Sequence, residues 1–396
     1  MFEEFKSLDD DPILGLIEAY KNDKNPKKID LGAGVYKNKK DITPIFKAVK
    51  RAEILKLETE TSKTYTSIEG DPVFCETIPS LVLGANHPAV KESRACAIST
   101  PGGSGALRVL GEVINSWESG ANLWVSRPSW PNHTPIFGTA GLTINEYPYY
   151  DTKSHLIQTD QMMTQISKLK KGDILLLHGC CHNPSGADLN FDHWKEITRI
   201  AQHNGFIPFV DFAYQGLGDS LDKDAEGLRY LASELPEVLI AYSCSKNFGL
   251  YRDRIGSSII ITEKKASSKA AWTHMKSVAR RLYSVPPAHG AILVGMILNS
   301  SELKQNWQLE LESMQNHISS LRELFTKSMQ QNGQDSNFDF IKSERGMFSI
   351  LGLNVEQVTK LRDKFSIYMV NSSRINIAGI SPSNIDYLTK SILTVL

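Results

Sequence analysis

The sequence predicts an α/β fold: a mostly parallel sheet in a large domain flanked by helices, with a smaller α+β domain built from both chain ends. Two observations carry this. Between residues 95 and 262, short apolar runs alternate with turns and helical patterns, and strands separated by helices return to a sheet in parallel. Beyond residue 300 the apolar period becomes that of one long helix, then breaks into short segments.

Taken in order, residues 95–100 form a first strand-like run, then Pro101-Gly102-Gly103-Ser104-Gly105 leads into a helical 106–117. Residues 122–126 form the next run and end in Arg127-Pro128-Ser129-Trp130-Pro131. Runs at 173–178, 206–211 and 238–243 each end in a polar loop, and 257–262 follows the last of them closely. Ligands of such sheets bind where the carboxyl ends of the strands open into loops, and each candidate motif falls there. Residues 301–331 carry Trp307, Leu311, Met314, Ile318, Leu321 and Leu324 at three- and four-residue steps, as one helix requires. Short runs at 338–341 and 347–352 and a final helix from Ser383 complete the smaller domain, joined by the N-terminal segment.

The chain has 396 residues with 44 Lys+Arg against 44 Asp+Glu, 41% hydrophobic. Zero net charge argues against nucleic acid or an anionic membrane surface as partner. It does not exclude small anions, which a few arginines can hold. The first dozen residues include Glu3, Glu4, Asp9, Asp10 and Asp11, opposite to the basic start of a secretory signal. The longest apolar run, 291–298, is far short of the ~20 residues of a membrane span. Five cysteines (75, 96, 180, 181 and 244) have no framework spacing, so reduced thiols and a cytoplasmic protein are expected.

The glycine-rich 101–105 segment can bring backbone amides and the Ser104 hydroxyl to an oxyanion at a helix start, or can be a tight turn. Ser243-Cys244-Ser245-Lys246-Asn247-Phe248-Gly249, with Arg254 further on, puts an amine after a core strand. Burial there lowers its proton affinity and suits it to condensing with a carbonyl; a surface lysine is the plain alternative. Asp211 ends an apolar strand, where a carboxylate needs a cationic partner or serves as a helix cap. His178, Cys180, Cys181 and His182 suggest a metal, but ligands crowded at one strand end should alternate in direction, so none is expected. In the Asn183-Pro184-Ser185-Gly186 turn, Asn183 can donate and accept. Trp130 could stack on a flat ring and His133 lies near it, or both are ordinary core residues. Arg374 and Arg280 are candidate carboxylate clamps; for Arg281 a surface role is the reading.

Together these residues resemble the aspartate/aromatic aminotransferases, class I members of the fold-type I pyridoxal-phosphate enzymes. The resemblance runs from Asp11-Pro12-Ile13-Leu14-Gly15-Leu16 to the Arg374 segment and rests on Asn-Pro-Ser-Gly, Asp-Phe-Ala-Tyr and Ser-x-Ser-Lys-Asn-Phe-Gly-Leu-Tyr, following one another in that family's order. It implies pyridoxal 5′-phosphate held as an aldimine on Lys246, which then moves the proton in a ping-pong reaction. Asp211 would pair with the pyridine nitrogen, with His133 behind it. Tyr214 and Asn183 would bond the phenolic oxygen, and Trp130 would stack on the ring. Gly103, Ser104, Ser243, Ser245 and Arg254 would cradle the phosphate, with Tyr65 reaching the partner subunit's. Arg374 would clamp the α-carboxylate with Asn183 and the Gly34 backbone, Trp130 also bordering the substrate. Arg280, chosen over Arg281 by its spacing to Tyr283-Ser284, would bind the distal carboxylate across an obligate homodimer. The family layout implies a large cofactor domain over 44–305 and a small one from 1–43 and 306–396. Val35, Lys37 and Thr43 resemble the aspartate-selective branch; Ser104 leans to the aromatic one; Thr64 and Val285 match neither. L-aspartate to 2-oxoglutarate transfer is the expected reaction, with broad aromatic specificity as the alternative.

Overall fold

The computed structural model describes residues 2–6, 12–333 and 338–396, with the backbone alone at 12–14. Asp9, Asp10 and Asp11, part of the acidic start and of the resembling N-terminal stretch, lie outside them. The main sheet has seven strands: β1 (Ala95–Pro101), β2 (Asn122–Arg127), β3 (Thr143–Pro148), β4 (Ile174–His178), β5 (Ile207–Phe212), β6 (Val238–Ser243) and β7 (Ile255–Ile261). Their order across the sheet is β1-β7-β6-β5-β4-β2-β3. All neighbours are parallel except β7, which runs antiparallel to both β1 and β6. β6 and β7 are buried along their whole length, as apolar strands covered on both faces must be.

Strand register aligns the functional ends. His178 pairs with Asp211, and Asp211 with Ala241, so β4, β5 and β6 open their carboxyl ends onto one rim. The 101–105 segment differs from expectation. The helix starts at Gly102 and runs to Trp117, so the glycines form its first turn. Gly102, at φ +74°, turns the chain directly out of β1, and a Cβ on Gly105 would lie 2.8 Å from Pro101. Strand and helix therefore meet with no loop between them. β3 gave no clear run in the sequence.

The long helix spans Ser301–Asn332 and buries Trp307, Leu311, Met314, Ile318 and Leu321. Of the short C-terminal runs, the first yields a helix, Phe340–Ser343, and the second the strand Phe348–Ile350, antiparallel to Arg374–Asn376. The last helix is Ile385–Val395. From the other end of the chain, Ile29–Asp30 pairs in parallel with Ile367–Tyr368. Among the described residues no helix is long and apolar enough to cross a membrane.

Candidate active site

A cavity of about 280 Å³ opens at the rim where the strands end. β1 and the helix after it contribute Gly103 and Ser104; the loop after β2 contributes Trp130; the turn after β4 contributes Asn183. β5 supplies Asp211 and, just past its end, Tyr214; β6 supplies Ser243, followed by Ser245 and Lys246. Arg254 precedes β7, and Gly34 and Arg374 close the cavity from the side of the chain ends. His133 sits directly behind it. Tyr65, 91% exposed, and Arg280, also exposed, lie outside it in their own chain.

One end is rich in donors. The first amides of the helix from Gly102 have no intrahelical acceptor, and a Cβ on Gly103 would lie 3.0 Å from Ser243 Cβ. Ser104, Ser243 and Ser245 add hydroxyls, and Arg254 Nη1 donates to Ser245 Oγ at 3.4 Å and to the Tyr251 carbonyl at 2.9 Å. Helix start, hydroxyls and guanidinium together suit an anion of two charges.

Asp211 and Lys246 occupy the middle. Burial opposes ionisation of Asp211, but the hydrogen bond and charge of His133, with Lys246 nearby, hold its carboxyl below the usual value. His133 Nε2 meets Asp211 Oδ2 at 2.9 Å, Ser129 Oγ meets His133 Nδ1 at 2.9 Å, and His178 Nε2 lies 3.3 Å from the same hydroxyl. Burial pushes His178 down to about 3, so it stays neutral. Lys246 opens on the cavity, yet enclosure of its amine lowers its proton affinity from 10.5 to about 8; Asp211 pulls it up and Arg254 pushes it down. The amine lies 4.7 Å from the Tyr214 ring. Burial raises the Tyr214 phenol, which therefore keeps its proton.

At the far wall, the Arg374 guanidinium donates to the Gly32 carbonyl at 2.9 Å and to Asn183 Oδ1 at 3.3 Å, 4.3 Å from the Phe348 ring. Its Nε is buried with no partner among the described residues. The sequence reading did not single out Leu107, Ala213, Tyr251 or Phe348, which also line the cavity, and treated His178 only as a possible metal ligand. Tyr251 stands inside the quoted lysine motif, and His178 shares its register position with Asp211; Phe348 gave no local signal.

The argument against a metal is corrected in its reasoning. β4 ends at His178, so the following residues no longer alternate: the His178 and His182 rings lie 4.2 Å apart, and Cys180, Cys181 and Asp224 bring their ligand atoms within 4.8 Å. The Asp224 carboxylate, however, accepts amides from Gly216, Gly218, Asp219 and Ser220. Burial also raises both thiols, so an ion there would have to displace their protons.

The family model for aminotransferase class I and II matches residues 26–392. An aspartate aminotransferase of Haemophilus influenzae is 43% identical over 396 residues, all of both chains. An aromatic-amino-acid aminotransferase of Pseudomonas aeruginosa is also 43% identical, over all of this chain and 98% of its own. The crystal structure of an aromatic-amino-acid aminotransferase from Burkholderia pseudomallei covalently bound to pyridoxal phosphate superposes with a TM-score of 0.97 at 36% identity, covering 100% and 99% of the two chains.

Proposed function

The chain belongs to the class I and II aminotransferases, which use pyridoxal 5′-phosphate, and on that premise we propose L-aspartate as its amino donor and 2-oxoglutarate as its acceptor. The residues present fit the cofactor. The donor-rich end suits a phosphate, the enclosed amine of Lys246 suits a carbonyl, and the ionised Asp211 suits a protonated ring nitrogen. When bound, the pyridoxal group supplies an electron sink for the charge left on the substrate Cα.

The protein's own residues do the rest. Gly103, Ser104, Ser243, Ser245 and Arg254 hold the phosphate. Asp211, kept ionised by His133, orients the ring, and Trp130 covers its face. With its proton affinity near 8, Lys246 is partly free base at neutral pH, so it can take the Cα proton and return it. Tyr214, protonated, donates to the phenolic oxygen with Asn183. Arg374 binds the α-carboxylate, for which its unpartnered Nε and its Nη groups are the donors.

The observation that carries the aspartate preference is the polar, pinned segment next to Gly34. Lys37 pairs with Asp41 at 3.1 Å, Thr43 Oγ1 donates to the Tyr36 carbonyl, and the Tyr36 amide donates to the cavity residue Tyr251. Of these only Gly34 and Tyr251 border the cavity; a segment pinned behind them has little freedom to move aside for a large ring, which supports a short side chain. Ser104 supports the second reading, a broad aromatic aminotransferase. The deciding measurement is kcat/KM for aspartate, glutamate, phenylalanine, tyrosine and tryptophan with 2-oxoglutarate. Aspartate is expected to lead, and an aromatic donor ahead of it by about tenfold, or about 1.4 kcal/mol, would overturn the preference.

We also read the enzyme as an obligate homodimer in which Tyr65 and Arg280 complete the partner's site. Supporting this are the exposure of both residues in their own chain and the exposed apolar side chains of Leu57 and Leu282 near them. The same reading divides each chain into a large domain, 44–305, and a small one, 1–43 with 306–396. It places the enzyme in the cytoplasm, in keeping with five free cysteines.

A further inference from the structure

Arg322 lies within the helix Ser301–Asn332, is fully buried, and does not reach the cavity. Its guanidinium grips one short stretch of chain. It donates to the carbonyls of Ile341 (2.9 Å), Arg345 (3.1 Å), Gly346 (2.8 Å) and Phe348 (2.7 Å), and to Ser349 Oγ (2.7 Å). Glu344, 3.7 Å away and equally buried, is its counter-ion, held in turn by Ser349 and by the Tyr150 hydroxyl at 2.7 Å. Burying such a pair is poor evidence for stability, because desolvation offsets the attraction. Its use here needs another reason.

The stretch it grips supports the wall of the α-carboxylate site. The Phe348 ring lies 4.3 Å from the Arg374 guanidinium. The Arg345 amide donates to the Gly186 carbonyl at 2.7 Å. Gly186, at φ +74°, comes so close that a Cβ there would lie 2.3 Å from the Phe348 carbonyl oxygen. Gly186 closes the turn that begins at Asn183, whose Oδ1 accepts from Arg374. Two of the groups that set the Arg374 guanidinium, the Phe348 ring and the Asn183 amide, thus rest on the segment Arg322 holds.

We infer that Arg322, with Glu344 as its counter-ion, is a positioning residue for the substrate α-carboxylate, acting through Phe348 and Asn183 on Arg374. The inference rests on reading Arg374 as the carboxylate clamp. A lysine keeps the charge but lacks the planar fork that reaches several carbonyls at once.

Holoenzymes of Arg322→Lys and of Arg322→Met/Glu344→Gln test it. Each is titrated with succinate, which is aspartate without its amino group, following the visible absorption of the bound cofactor; kcat and cofactor content are measured on the same samples. Succinate Kd and aspartate KM are expected to rise about ten- to hundredfold, with kcat changed by less than about threefold and cofactor fully retained. Ser349→Ala, a milder cut in the same grip, should move the succinate Kd at least about threefold in the same direction, and keeps the test decisive if the Arg322 variants do not fold. Unchanged succinate affinity in folded, loaded variants overturns the inference. So does a parallel loss of affinity, kcat and cofactor, which would signal general loosening. Arg374→Lys separates the two readings: if it too leaves succinate binding unchanged, the clamp assignment has failed and not the role of Arg322.

Discussion

Replacing Lys246 by methionine should make the cofactor-free protein more stable at neutral pH while abolishing its activity. Enclosure lowers the amine's proton affinity from 10.5 to about 8, so the unfolded chain binds that proton more tightly than the folded one. Each tenfold in proton affinity is worth about 1.4 kcal/mol, which puts the cost of charging the amine in the fold at roughly 3 kcal/mol. Its opening onto the cavity reduces this to about 2–3 kcal/mol. The sign follows from linkage: the penalty is fully present below pH 8, shrinks between 8 and 10.5, and is gone above. Methionine has nearly the same reach and no charge. Urea unfolding of both apo-proteins at a fixed protomer concentration reads the difference. At pH 7 the variant should be more stable by about 2–3 kcal/mol, and the gain should vanish near pH 10.5. No gain at pH 7, or a gain that persists unchanged to pH 10.5, would refute the reasoning.

Lys246→Ala should remove the lysine-linked absorption band of the bound cofactor together with turnover; a variant retaining both would show that another residue carries the carbonyl. Asp211→Asn removes the charge that raises the Lys246 amine, so the midpoint of its pH-dependent reaction with added pyridoxal 5′-phosphate should fall below the wild-type value near 8, as a stopped-flow pH series would measure. Arg280→Ala should lower kcat/KM for aspartate by about 2–5 kcal/mol, roughly 30- to several-thousand-fold, and spare phenylalanine; equal losses would point to Arg281 instead. Because Tyr65 is assigned to the partner's phosphate, dilution to monomer should release cofactor, and fully active monomers by light scattering and assay would contradict the shared site.

The apolar runs that became β1, β2, β4, β5, β6 and β7 were legible because strands buried on both faces have nearly continuous apolar sequences. β3 was not: only Tyr147 of its Thr143-Ile144-Asn145-Glu146-Tyr147-Pro148 is buried, so polar side chains break up any apolar run. The glycine motif suggested an anion site, and the fold brings Gly103 and Ser104 to the same cavity as Ser243 and Arg254. Its helical conformation was missed because glycine is a poor helix former, and here the close approach to Pro101 selects it. His178 was weighed only as a possible metal ligand because its place beside Ser129 and His133 depends on where β4 stops. Phe348 and Arg322 could not be seen in advance, since each acts through contacts with residues distant in sequence. The role of Tyr65 and the cross-subunit, distal-carboxylate role of Arg280 came from family resemblance, although Arg280 was already a candidate carboxylate clamp by its chemistry; in their own chain both residues are exposed.

The reversed direction of β7 has a consequence for how little chain the site needs. Lys246 lies just past the end of β6, and a strand running the same way as its neighbours would begin at the opposite edge of the sheet. Seven residues at about 3.3 Å each put that edge about 23 Å away, a distance that would take a crossover connection to span. Because β7 runs backwards, the chain needs only residues 247–254 to pass from the amine to Arg254 at the strand's start. The amine proposed to meet the cofactor's carbonyl and the cation proposed to meet its phosphate are therefore delivered by one short excursion. An insertion in that segment would disturb both ends of the cofactor's seat at once, whereas insertions behind the sheet would disturb neither.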